Sequence, residues 1–377
     1  MSMIPVMKPW LGAEEAEAAA DAVASGWVAQ GPRVAAFEQA FAAQVGAAEA
    51  VAVSSCTTGL HLALVVLDLG PGDEVIVPSL SFIATANSVR YVGAMPVFAD
   101  VDLATQNLTP DTIRAVATPA TKAVIVVHQA GIPADMAAIH ACCDPLGVAV
   151  IEDAACAIGS TYQGHPLGAD SDLVVFSFHP RKVITTGEGG MITTGNPVWA
   201  ARMRRLREHG MSMSAAERHE AKTAVIEQYL ETGFNYRMTD IQAAVGLVQL
   251  RKLDEIVARR RAIGARYHES LGDIPGVVFA ADPPRCTTNF QSFWMLLPAG
   301  AGRDSMLASL LERGISARRG IMASHLEPAY AGHPHGDLSV TERLTRESLI
   351  LPIFHVMTDE EQDRVIDAVR DLVSATV

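Results

Sequence analysis

Five lysines stand against 24 arginines in this chain, and one of them, Lys182, has a setting that could make it reactive. It lies in FSFHPRKVITTGEGGMITTG, directly after an apolar run and before a glycine-rich turn that leads into another strand-like run. A lysine desolvated there has a lowered pKa and a free amine able to form a Schiff base with a carbonyl compound. The bland alternative is a lysine at a strand end that snorkels to water. Asp153 ends the apolar run VAVIED. At the carboxyl end of a parallel strand, a carboxylate faces the ligand crevice of an α/β sheet. There it can keep a pyridine nitrogen protonated, hold a metal or cap a helix. The segment AVAVSSCTTGLHLALVVL reads as strand, small-residue turn and helix, a geometry that offers free N–H groups to an anion such as phosphate. Thr57 and Thr58 add hydroxyls to that turn, although capping of the helix accounts for them equally. Ser177, five residues before Lys182, is a second phosphate-contact candidate. Phe82, in PSLSFIATAN, can lie flat over an aromatic ring or simply join the core.

These residues need a scaffold, and the apolar pattern supplies one. AVAVSS, DEVIVPSL, MPVFADVD, KAVIVVHQAG, VAVIEDAA and DLVVFSFH are rich in Val and Ile and lack polar alternation. Strands buried on both faces have that character. Amphipathic stretches such as ADMAAIHACCDPLG separate them, so the fold class is α/β with a mainly parallel sheet covered by helices. From Thr239 apolar residues recur three and four apart for about eight turns, predicting one long helix or a broken pair with Asp240 in its first turn. Beyond it VVFA, FQSFWMLLP and SLILPIF predict strands of a smaller C-terminal α+β unit, with helices around Asp304–Arg313 and Asp359–Val373. The expected division is residues 1–250 and 251–377.

The formal net charge of −13 argues against nucleic acid as a partner, because phosphate backbones need clustered positive charge. Arginines do cluster at Arg202–Arg207 and Arg259–Arg261, and their spacing predicts solvated helix faces. The five cysteines show neither a CxxC pair nor metal-like spacing, which speaks against a disulfide framework or a metal site. With no signal-like start and no run long enough to span a membrane, the expectation is a soluble, cytoplasmic protein.

Taken together, the motifs resemble the DegT/DnrJ/EryC1/StrS sugar aminotransferase family, within the fold-type I enzymes that use pyridoxal 5′-phosphate (PLP). The resemblance runs from KPWLGAEEAEAA through GPGDEVIVPSLSFIATANSV, VIEDAACAIGS, SFHPRKVITTGEGGM and GFNYRMTDIQAAVGLVQL to LPIFHVMTDEEQDRVIDAV. It implies that Lys182 carries the cofactor and Asp153 faces its pyridine nitrogen. It further implies that Thr57, Thr58 and Ser177 hold the phosphate and that Phe82 stacks on the ring. Asn235 matches an asparagine that reaches the cofactor phosphate of the neighbouring subunit, implying a homodimer.

Two positions depart from the family pattern. Cys56 stands where Gly is common, and Cys156 stands where Gln or His usually touches the ring hydroxyl. A thiol is a weaker hydrogen-bond donor, so Cys156 puts that contact in question. His325, in MASHLEPAY, matches a histidine near the sugar, while Arg318 and Arg319 can hold a substrate phosphate or carboxylate or stand as loop arginines. His128 and His179 flank strand ends and read as structural, and Glu152 should point away from Asp153 because adjacent strand residues alternate. The implied activity is ping-pong transfer of an amino group from L-glutamate to a keto sugar through a Lys182 Schiff base. A nucleotide-linked 4-keto-6-deoxyhexose is the first expectation and a 3-keto sugar the second. A PLP enzyme acting on a cyclitol ketone or another non-nucleotide substrate, and a non-catalytic PLP-binding regulator, are the alternatives.

Overall fold

The six Val- and Ile-rich runs all become strands of one sheet. In the computed structural model, which describes residues 3–169, 171–213, 226–298 and 300–374, these strands are β1 Glu49–Val53, β2 Glu74–Pro78, β3 Met95–Ala99, β4 Thr121–Val127, β5 Ala149–Asp153 and β6 Leu173–Ser177. A seventh, β7 Gly190–Thr194, completes the order β1-β7-β6-β5-β4-β2-β3. Pairs among β2 to β6 are parallel, whereas β7 is antiparallel to both β1 and β6. The reversal has a simple cause. A parallel return needs a crossover, usually through a helix, and the chain between Ser177 and Gly190 contains none. Every residue of β6 and β7 is buried, which is why these strands carry no polar alternation.

Helices α1 Ala13–Ala24, α2 Pro32–Val45, α3 Cys56–Val66, α4 Ala84–Tyr91, α5 Met136–Cys143 and α6 Pro197–Leu206 surround this sheet. Helix α3 lies unusually close to it. A Cβ at Gly59 would stand 2.6 Å from Val175 Cγ1, so only glycine lets the helix reach its place.

The long periodic stretch resolves into the broken pair, α7 Asp240–Arg251 and α8 Leu253–Leu271. Thr239 caps α7 by accepting the N–H of Gln242 at 3.2 Å. Asp240, in the first turn as expected, accepts the N–H groups of Arg33 and Val34 and so ties α7 to the start of α2. The break falls at Lys252, whose amine is held by Glu15 of α1 at 2.8 Å.

The C-terminal strands are β8 Val278–Phe279, β9 Phe293–Leu296, β10 Arg318–Arg319 and β11 Ser348–Leu351, in the antiparallel order β8-β9-β11-β10. Helices α9 Arg303–Glu312, α10 Ser339–Glu347 and α11 Asp359–Ser374 accompany them. The N-terminal arm crosses to this unit: Ile4 pairs with Ile315, and Ile353 donates to the carbonyl of Val6. One apolar cluster runs without interruption from Phe37, Phe41 and Phe176 to Phe293, Trp294 and Val369.

The solvated faces expected of the arginine clusters need correction at two positions. Arg207 is buried and donates to the Glu38 carboxylate and to the carbonyl of Ala52. Arg260 is buried with no carboxylate partner among the described residues; it donates to the carbonyls of Phe290 at 2.9 Å and Gln291 at 2.6 Å. Burial pulls its guanidinium down to about 9. In both cases backbone acceptors replace the water that an arginine on an open helix face would bind.

No helix among the described residues is long and apolar enough to cross a membrane. All five cysteines are free, and among the described residues no group of three or more His, Cys, Asp or Glu could hold a metal.

Candidate active site

The sheet delivers several candidate residues to one edge. Asp153 ends β5, Ser177 ends β6, the turn after β1 opens α3, and Lys182 lies in the connection from β6 to β7. Carboxyl ends of parallel strands are where open α/β sheets bind ligands.

Asp153 is buried, with both oxygens engaged. Oδ1 accepts the N–H of Ala155 at 3.1 Å and faces the Cys56 sulfur at 3.9 Å; Oδ2 accepts the Thr85 hydroxyl at 3.0 Å. Thr85 in turn meets the Ser81 hydroxyl at 2.8 Å. Burial raises the pKa of the carboxyl above the ordinary aspartate value, only partly offset by Ala155, Lys182, Thr85 and His128. No lysine or arginine among the described residues makes a salt bridge to it, and the nearby Lys182 amine offsets its burial only in part. Glu152 points the other way, as strand alternation requires, and accepts from His128 Nε2 at 2.6 Å. Because His128 Nδ1 accepts the N–H of Ala134, this imidazole is the Nε2–H tautomer.

Lys182 is half-buried as a residue, and its amine is enclosed. Its Nζ donates to the Cys156 sulfur at 3.2 Å. The lowered pKa expected from desolvation is not what results. Burial does pull the ammonium down, but Cys156, Cys56 and Asp153 outweigh it, and the amine lies above the ordinary lysine value. Cys56 has the opposite fate: burial first, then Asp153, raises its thiol well above the usual range, so it stays protonated.

At the start of α3 the capping alternative describes Thr58 well. Ser55 Oγ accepts the N–H of Thr58 at 3.2 Å, and Thr58 Oγ1 receives the N–H of Ser55 at 3.1 Å while donating to the Ser55 carbonyl at 2.8 Å. The Thr57 hydroxyl and the N–H groups of Cys56 and Thr57 have no protein partner among the described residues, leaving three donors at a helix N-terminus. Gly190 of β7 lies directly beneath this turn. A Cβ there would fall 2.6 Å from Ser55 C and 2.7 Å from Cys56 N. Ser177 Oγ accepts the N–H of His179 at 3.4 Å, and His179 Nδ1 accepts the N–H of Arg181.

The remaining candidates lie apart from this cluster or at its rim. Phe82 is 65% exposed, and its ring is not part of the core. Asn235 is exposed and accepts from Arg237 Nε at 3.1 Å. His325 is buried, with Nδ1 2.7 Å from the Ser79 hydroxyl just beyond β2; burial and then His335 lower its pKa. Arg319 pairs loosely with Glu327 at 3.5 Å. Burial and the nearby charge of Arg181 lower the pKa of Arg318.

Sequence reasoning missed Thr85, Asn289, Gln291 and Arg260. Asn289 Nδ2 donates to the carbonyls of Cys156 and Ile158, and Gln291 Nε2 to that of Arg181. Thr85 was within reach, since Ser81 and Thr85 are polar at i and i+4 beside an apolar run. The other three act on backbone carbonyls of distant segments, and nothing in local sequence marks such partners.

These groups fit pyridoxal phosphate. A phosphate dianion suits the free donors at α3, an aldehyde suits the Lys182 amine, and a protonated pyridine nitrogen suits the buried Asp153 carboxylate. On this sheet, such a lysine–aspartate pair defines a fold-type I PLP-dependent enzyme. A model of the DegT/DnrJ/EryC1/StrS aminotransferase family matches residues 9–370. Among solved structures, the aminotransferase TlmJ from Streptoalloteichus hindustanus is 38% identical, with 99% of each chain covered and a TM-score of 0.92. Spr1654 from Streptococcus pneumoniae in its PMP form is 27% identical, with 99% of this chain and 100% of that one covered and a TM-score of 0.94. The sugar aminotransferase CalS13 from Micromonospora echinospora is 28% identical over 98% of this chain and 100% of its own, with a TM-score of 0.90. The chain belongs to the DegT/DnrJ/EryC1/StrS aminotransferase family and is a PLP-dependent transaminase.

Proposed function

We propose that the chain moves the amino group of L-glutamate onto a keto sugar, by preference a nucleotide-linked 4-keto-6-deoxyhexose. The observation that carries this reading is the convergence of Lys182, Asp153 and the α3 donors on one edge of the sheet. The likeness to CalS13, a sugar aminotransferase, supports the acceptor class.

When bound, PLP supplies an aldehyde that exchanges amines and a ring that takes up electrons from the substrate α-carbon. Lys182 holds the cofactor and, once displaced, moves a proton at the reacting carbons through Nζ. Asp153 keeps the pyridine nitrogen protonated by offering it a buried negative charge. Thr57, Thr58, Ser177 and the free N–H groups of α3 hold the phosphate; for Thr58 this means sharing a hydroxyl already used in the cap. Phe82 covers the ring face. Asn235 completes the neighbouring subunit's site in a homodimer, which gives an exposed asparagine a purpose. His325, Arg318 and Arg319 lie on the C-terminal side, where they meet the sugar and the substrate's anionic groups. We place the division between cofactor-binding and C-terminal domains near residue 250, close to the break between α7 and α8.

The test supplies ¹⁵N-glutamate with a panel of nucleotide-linked 4-keto and 3-keto sugars and cyclitol ketones, and detects product by mass. Labelled amine on a 4-keto sugar is the expected result. Labelled amine on a cyclitol alone would replace the acceptor class, and glutamate left unchanged with every acceptor would overturn the proposal.

A further inference from the structure

Two thiols border the reactive lysine, and they play different parts. Cys56 opens α3 and turns its sulfur toward Asp153 Oδ1 at 3.9 Å. Cys156, in the turn after β5, receives the hydrogen bond of Lys182 Nζ at 3.2 Å. Among the described residues it is the one side chain hydrogen-bonded to that amine.

The pair is held from outside. Asn289, fully buried, donates to the carbonyls of Cys156 at 2.9 Å and Ile158 at 2.8 Å. Two residues further on, Gln291 donates to the carbonyl of Arg181 at 2.8 Å. One short stretch therefore grips the backbone on both sides of the sulfur–amine contact. That stretch is itself fixed, because the N–H of Gln291 donates to Asn289 Oδ1 at 2.7 Å and Arg260 binds the carbonyls of Phe290 and Gln291. Between them Phe290 stands at φ 46°, a left-handed backbone that a bulky residue adopts only when its surroundings impose it.

We propose that Cys156 is a positioning residue for Lys182, whose sulfur anchors the amine and exchanges a proton with it. The proposal rests on the reading of Lys182 as the cofactor lysine. The chemistry balances within the pair. The N–H bond of the ammonium breaks, its electrons remain on nitrogen as the lone pair, and a lone pair of the thiolate takes the proton to form S–H. Total charge is unchanged, and no third group is consumed. Free thiols and lysines titrate at about 8.5 and 10.4, close enough for the proton to pass either way. The charged or titratable groups around the amine are Cys156 and Asp153 from the β5 end, Cys56 from α3, and His179 from its own loop. Asp153 is committed to Thr85 and Ala155, and Cys56 stays protonated, so Cys156 is the partner left to trade the proton.

Two measurements test this. In cofactor-free protein, alkylation of Cys156 by iodoacetamide at pH 7.5, followed by peptide mass mapping, should be about tenfold slower in Lys182→Ala, because the amine that hydrogen-bonds the sulfur at 3.2 Å is gone. Equal rates would overturn the pair without touching the assignment of the cofactor lysine. The rate at which the protein captures added PLP, read from its visible absorbance across pH, should have a midpoint about one unit lower in Cys156→Ser and Cys156→Ala. Serine restores size and polarity but not proton exchange. A wild-type midpoint in the serine variant would therefore mean packing alone and overturn the proposal. A wild-type protein that never develops the absorbance would instead overturn the cofactor reading, with the alkylation result standing on its own.

Discussion

Asp153→Asn should separate folding from function. The carboxylate is 5% exposed and accepts two hydrogen bonds, from Ala155 N–H at 3.1 Å and Thr85 Oγ1 at 3.0 Å. An amide keeps the first, and it keeps the second by donating to Thr85, whose proton can turn toward Ser81. Exchanging two charge-assisted bonds for neutral ones costs about 1 kcal/mol each, roughly 2 kcal/mol together. Removing a buried charge that makes no salt bridge, and whose burial Lys182 offsets only in part, returns several kcal/mol of desolvation, on the order of the same amount or more. Cofactor-free Asp153→Asn should therefore lie close to or above wild type in stability at pH 7, its melting temperature falling by no more than about 4 °C if it falls at all. The sign follows from linkage. Because the folded-state pKa of Asp153 is raised, its cost to folding is absent below the free value of about 3.9, grows as pH rises from there, and is complete above the folded value. The variant's relative stability should accordingly improve between pH 3 and pH 7. Turnover should nevertheless fall by about a thousandfold, the loss typical when a group stabilising transition-state charge is removed. Calorimetry of the cofactor-free protein at both pH values and a glutamate half-reaction assay make the comparison. Destabilisation beyond about 3 kcal/mol would show a structural carboxylate, and turnover within tenfold of wild type would refute the argument.

Gly190→Ala should push the α3 turn away from β7. The new Cβ meets backbone atoms at 2.6 and 2.7 Å, and such overpacking costs about 1–3 kcal/mol, so denaturant titration should show a loss and PLP titration a weaker affinity. His61 and His325 both have pKa values lowered by burial. Between the folded values and about 6.5 the unfolded chain binds protons that the folded chain refuses, so stability should fall as pH drops through that window. The slope is at most about 1.4 kcal/mol per pH unit for each histidine, and urea titrations of His61→Gln/His325→Gln should be flatter. If Asn235 completes the neighbouring site, Lys182→Ala and Asn235→Ala should each be inactive, and mixing them under subunit exchange should restore about a quarter of wild-type activity. No recovery after verified exchange would remove Asn235 from that role.

Much of this architecture was legible because burial on both faces of a parallel sheet leaves a plain mark. All six Val- and Ile-rich runs are strands within a few residues of their expected bounds, and Asp153 and Ser177 stand at strand ends as the pattern required. The break at Lys252 was not decidable, since a one-residue interruption hardly disturbs helical spacing. Strand β10 was missed because Arg318 and Arg319 have no apolar signal, and their pairing with Ile350 and Leu349 depends on a distant strand. The pKa of Lys182 went the other way from the simple expectation because desolvation was foreseeable from a strand end, whereas two thiols and a carboxylate converging on one amine are a property of the fold. The buried Arg207 and Arg260 teach the same lesson: charge pattern shows where a helix carries arginines, and only tertiary acceptors decide which of them go inside.

The central claim is that Lys182 carries the cofactor and that glutamate displaces it. The most direct measurement is the visible spectrum of PLP-loaded protein before and after addition of L-glutamate alone, in wild type and Lys182→Ala. The account predicts a visible band that glutamate converts to the absorbance of pyridoxamine phosphate, with formation of 2-oxoglutarate, and neither the band nor the conversion in Lys182→Ala. A band that persists in Lys182→Ala, or a wild-type spectrum indifferent to glutamate, would contradict it.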